Sequence, residues 1–108
     1  MSTETKGSKT ANTTNIRDYY IYIILCTDNT YYTGITTNLK RRFAQHINGS
    51  GAKYTRAHKP EKIVFSFNTG PKRGIAQRIE YYIKKLPRNK KQELIADPHL
   101  LEEYIANA

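Results

Sequence analysis

The chain has no tryptophan, one methionine and one cysteine among its 108 residues. The lone Cys26 excludes an internal disulfide, and three scattered histidines (His46, His58, His99) give it no zinc-binding spacing. Long apolar runs are also missing. The longest, Tyr19 to Cys26, is strand-sized and far below the roughly 20 residues that span a bilayer, so no membrane segment is expected. The opening residues carry no apolar stretch of the secretory-signal kind. An intracellular, cytoplasmic setting is expected, or a host cell's interior if the chain is viral. Negative charge is scarce: nine acids stand against 18 Lys and Arg, a formal net charge of +9. That imbalance favours a polyanionic partner, because each phosphate neutralised releases condensed counterions.

Residues 1–15 contain almost nothing apolar and cannot bury enough surface to offset the entropy of ordering, so a disordered polar tail is expected there. Residues 16–108 are one domain's length. Tyr19–Cys26 is aromatic, β-branched and apolar on both faces, which predicts a central strand. Thr27-Asp28-Asn29 is turn chemistry, and Tyr31 to Ile35 reads as the second strand of a hairpin. Asn38 is placed to cap a helix whose apolar stripe is Leu39, Phe43 and Ile47, ending at Asn48-Gly49. Residues 52–60 are short, basic and ambiguous. Ile63–Phe67 is a third strand candidate. A longer helix follows, with Ile75, Ile79, Ile83 and Leu86 as its stripe, until Pro87 stops it. One or two short helical pieces are expected between Gln92 and Ile105. The fold class is α+β, a small three-stranded, mostly antiparallel sheet flanked by helices.

Three features carry chemistry. Tyr22 and Tyr32, on paired strands, present two phenols on one face if the register allows. A phenol titrates near pH 10, so service as a general base requires help of about 4 kcal/mol, which nearby cations supply in principle. A strand tyrosine ordinarily packs its ring and leaves its hydroxyl at the surface. Arg42 and His46 lie four residues apart, on one helix face beside the apolar stripe. An arginine held in place suits a phosphoryl transition state through its planar fork, although a basic rim is common on amphipathic helices. Glu80 is the sole carboxylate between Lys62 and Gln92, amid nine basic residues. It is either a salt-bridge partner or a ligand for a divalent metal, since Mg²⁺ is held by one or two carboxylates with phosphate oxygens and waters.

In order, Tyr20-Ile21-Tyr22, Tyr32-Thr33-Gly34, Arg42, His46 and a helical Glu80 resemble the motifs of the GIY-YIG nuclease family. The stretch Gly51-Ala52-Lys53-Tyr54-Thr55-Arg56 is similar to its small stand-alone members. Tyr20 stands where the family's first half-motif has Gly, and Asn89 is the nearest counterpart of an asparagine that many members carry. The resemblance implies one-metal phosphodiester hydrolysis with Mg²⁺ or Mn²⁺. By carry-over Tyr22 is the general base and Tyr32 positions the water or phosphate. Arg42 stabilises developing charge, His46 tunes a phenol or the leaving group, and Glu80 holds the metal. The expected substrate is DNA, branched, flapped or nicked. A binding module with the same fold, for DNA or RNA, is the alternative. Nucleic-acid contacts are expected from Lys53, Tyr54, Arg56, Lys59, Lys84 and Lys85, with cations on phosphates and Tyr54 stacking an unpaired base.

Overall fold

A computed structural model describes residues 17–106; the expected tail, residues 1–15, lies outside the described residues. Strand β1 (Tyr19–Cys26) turns at Asp28-Asn29 into β2 (Tyr31–Thr36), and helices α1 (Leu39–Ile47) and α2 (Lys53–Ala57) follow. Then come β3 (Pro60–Gly70), α3 (Arg73–Lys84), α4 (Arg88–Ala96) and α5 (His99–Ala106). The hairpin turn forms as its residues require. Asn29 takes φ 69°, a left-handed conformation that asparagine tolerates, while the Asp28 carboxylate accepts hydrogen bonds from the Thr30 amide and hydroxyl.

The sheet order is β2-β1-β3, antiparallel throughout. The strand that is apolar on both faces is therefore the central one, as its pattern requires. Its residues alternate between two cores. Ile21 and Ile23 pack with Phe65, Ile79, Ile83, Leu94 and Leu101 under α3, α4 and α5. Tyr22, Ile24 and Cys26 face α1 and α2 with Tyr32, Leu39, Phe43, Tyr54 and Ile63.

Several local expectations shift. The segment left ambiguous, residues 52–60, supplies α2 and the start of β3, which is longer than Ile63–Phe67. The expected stripe of α1 fails at Ile47, which is 54% exposed, while His46 is buried at 1%. Helical geometry explains this. At about 100° per residue, positions i, i+4 and i+7 (Leu39, Phe43, His46) stay closer to one direction than i+8 does. In α3 the inward line is Ala76, Ile79 and Ile83, and Ile75 is largely exposed. Pro87 does separate helices, with its successor Arg88 opening α4.

Candidate functional site

Tyr22 sits at the centre of β1 with Gly34 opposite it on β2 and Ser66 opposite it on β3. Those small neighbours leave room for its ring to lie over the sheet. A Cβ on Gly34 would stand 2.6 Å from the Tyr22 hydroxyl oxygen, so a side chain there is excluded by the phenol itself. Tyr32 lies opposite Ile24, one diagonal step along the same face, and its ring centroid is 6.3 Å from that of Tyr22. The register thus does bring the two phenols together.

The Tyr22 hydroxyl does not reach the surface as strand tyrosines usually do. The residue is 2% exposed, and its oxygen lies 2.9 Å from His46 Nε2. His46 Nδ1 is 2.6 Å from Thr55 Oγ1, and Thr55 in turn donates to the Ala52 carbonyl at 3.0 Å. A hydroxyl has one proton. Since that of Thr55 goes to the carbonyl, its oxygen accepts from His46 Nδ1–H. The imidazole is then the tautomer with a bare Nε2, and Tyr22 donates to it. Burial, with the Arg42 charge adding to it, pushes His46 down to about 4, so the ring is neutral and able to accept at neutral pH. Gly51 closes over this ring: a Cβ there would fall 2.6 Å from Nδ1.

Arg42, half-buried on α1, hydrogen-bonds Gln45 Oε1 through Nη1 at 3.0 Å. It also acts on the Tyr22 phenol, lowering its pKa by a hydrogen bond and by charge. Burial outweighs that help, and the neighbouring Tyr32 and Glu80 add to burial, so Tyr22 is pushed up to about 12. The Arg42 cation does not by itself supply the help a general base requires: five units above pH 7 correspond to about 7 kcal/mol. Glu80, on α3, is close enough for its charge to be felt at Tyr22. Its carboxylate is ion-paired with Lys84 at 3.2 Å, the side chains 22% and 52% exposed. All five candidates therefore meet around one phenol.

The expected nucleic-acid contacts fall into two groups, and Lys84 of the second joins that centre through Glu80. Lys53, Arg56 and Lys59 are exposed on and after α2, whereas Lys84 and Lys85 are exposed at the end of α3, under the opposite face of the sheet. Lys84 is engaged by Glu80, and Lys85 lies 4.3 Å from the Tyr81 ring centroid. The Tyr54 ring is engaged within the protein, stacked with Tyr32, centroids 5.7 Å apart, and with His58, at 4.1 Å. It buttresses Tyr32. His58 is held from the other side by Asp28 at 2.6 Å, and hydrogen bonds from Thr30 and His58 hold the Asp28 carboxyl down to about 2.

Sequence reasoning missed Thr55, Gln45 and Gly51. Each acts through another site residue, and nothing in their spacing marks them. Thr55 lies nine positions from His46 and outside its helix.

A three-stranded antiparallel sheet with a tyrosine pair, a helical arginine and histidine, and a carboxylate on the next long helix defines a GIY-YIG catalytic fold. The model of the GIY-YIG catalytic domain matches residues 18–93, and the chain belongs to that family. It is 49% identical over 84 residues to a UPF0213 protein of Clostridium perfringens, covering 78% of this chain and 89% of that one. A UPF0213 protein of Natronomonas pharaonis is 48% identical over 80 residues, 74% of this chain and 93% of its own. Among solved structures, the solution NMR structure of a protein from E. faecalis is similar at TM-score 0.55 and 35% identity, covering 78% and 88% of the two chains.

Proposed function

We propose that this protein is a metal-dependent endonuclease that hydrolyses DNA phosphodiester bonds, selecting structure over base sequence. The observation that carries it is convergence: Arg42, His46, Tyr32 and Glu80 all act on the Tyr22 phenol, although they come from three different elements. Membership in a catalytic nuclease family supports the same reading. Intracellular work and DNA that is branched, flapped or nicked belong to the proposal.

The donor set fits a single divalent cation. Among the described residues no three His, Cys, Asp or Glu side chains gather, which suits Mg²⁺ or Mn²⁺ held by Glu80 with substrate oxygens and waters. Such an ion lowers the pKa of bound water and offsets charge on the phosphate. The protein's own groups do the rest. Arg42 contributes fixed positive charge where the phosphorane forms. Tyr22 is the group that takes the proton of the attacking water, with its own hydroxyl hydrogen held on His46 Nε2. His46 orients and tunes that phenol. Tyr32, with its ring braced by Tyr54, positions the water or phosphate.

Two observations favour a second reading, a binding module that keeps the fold without turnover. Tyr22 is held at about 12 and Glu80 is occupied by Lys84. Labelled linear, nicked, flapped and four-way DNAs, each with Mg²⁺, Mn²⁺ or EDTA, separate the two. Cleavage that requires the metal and falls at least about a hundredfold in Glu80→Gln supports the nuclease. Tight binding with no cleavage of any substrate replaces it with the module.

A further inference from the structure

Arg42 also lines a polar cleft of about 300 Å³, together with Tyr19, Ile35, Thr37, Arg41 and Arg73 among others. It is assembled from β1, the end of β2 and its following turn, α1, and the first residue of α3. Three guanidinium groups face it and no carboxylate lines it. Arg42 is tied to Gln45. The Arg41 and Arg73 guanidinium groups have no hydrogen-bond or ion-pair partner among the described residues, and neither has the Thr37 hydroxyl. Like charges held round one cleft without a counter-charge repel, and an anion relieves that repulsion.

The start of α3 points the same way. No acidic residue stands in its first turn, and Lys72 at the cap position makes no side-chain capping bond. Lys72 and Arg73 therefore set cations at the pole of a 12-residue helix that ordinarily favours anions. Both features are unfavourable in the free protein and favourable with a phosphate between Arg73 and Arg41. The low volume and polar lining suit a phosphodiester rather than an apolar ligand, which takes a larger and greasier pocket.

We propose that this cleft seats a second backbone phosphate of the bound nucleic-acid strand, next to the one handled by Arg42. Arg41 and Arg73 clamp it, with the Thr37 hydroxyl donating a third bond. Because Arg42 belongs to both the Tyr22 cluster and the cleft, the two phosphates are neighbours on one strand, and the strand's path runs from Glu80 past Arg42 toward the start of α3. This rests on the nucleic-acid reading of the site but not on turnover.

The test is binding of a fluorescent flapped DNA by the full chain in EDTA, read by anisotropy. Arg41→Ala/Arg73→Ala is compared with Lys40→Ala/Lys62→Ala, which removes the same charge from exposed positions outside the cleft. Single uncharged methylphosphonates are then moved along the strand. The clamp variant should flatten the slope of log K against log salt by about 1, at roughly 0.9 per phosphate contact on duplex DNA, and the control pair by clearly less. One methylphosphonate position should weaken wild-type binding and have no effect on the clamp variant. Equal losses in the two pairs, or the absence of any methylphosphonate position whose penalty is lost in the clamp variant, would overturn the seat. Since no step requires cleavage, a chain that binds in this way but never cuts refutes the nuclease and leaves the seat standing.

Discussion

The two faces of the central strand are built from different materials. Ile21 and Ile23 point into a core of isoleucine, leucine and phenylalanine, interrupted by Thr33, whose buried hydroxyl has no hydrogen-bond partner among the described residues. One residue over, Tyr22 points into a core where phenol, imidazole and hydroxyl are chained by bonds of 2.9, 2.6 and 3.0 Å. The first face gains stability from area removed from water, which is non-directional and tolerant. The second buries polar groups that are favourable only while every partner is present. Stability is thus concentrated under α3 to α5, and chemistry against α1 and α2. The two meet where Glu80, on the helix of the apolar face, projects its charge to Tyr22.

The division is open to measurement on a common scale of unfolding free energy. Ile83→Ala, at a fully buried position, should destabilise by about 2–5 kcal/mol in urea unfolding. A smaller loss than that of any variant on the polar face would break the comparison. The polar face should carry the acid sensitivity. His46 is held near 4 against an ordinary 6.5, so the unfolded chain binds the proton first. Stability from this group is complete above about pH 6.5 and is lost as pH falls toward 4, by about 3 kcal/mol in all. Melting curves between pH 4 and 8 should show that slope in wild type and not in His46→Gln. An unchanged slope in the variant would place the acid sensitivity elsewhere.

Thr55→Val keeps shape but strands His46 Nδ1–H, at a cost of about 1–3 kcal/mol. It should also lower metal-dependent cleavage, since the tautomer that accepts from Tyr22 is no longer enforced. Full cleavage by Thr55→Val would show that Tyr22 and His46 are oriented without it. The smallest stability effect belongs to Glu80→Gln, at most about 1 kcal/mol because its Lys84 pair is partly exposed. A larger loss would make Glu80 a structural residue and merge the two faces' roles.

Tyr19–Cys26 announced a central strand by being apolar on both faces, Asn38 announced a helix start, and Asn29 a turn. All three rest on preferences that act over a few residues, and the structure has them in place. Tyr22, Tyr32, Arg42, His46 and Glu80 were picked out by residue type and order along the chain, and the structure brings the other four to bear on the Tyr22 phenol. What lay beyond the sequence depends on contacts between distant segments. Only packing decided that His46 and not Ile47 turns inward, that Tyr54 stacks against Tyr32, and that Thr55 orients the imidazole. Only packing brought Arg73 to Arg41, 32 positions away along the chain. Burial is likewise a property of the assembled fold: the Tyr22 phenol is raised by burial, with its ring against Gly34 of the neighbouring strand, and no reading of its own segment reports that neighbour.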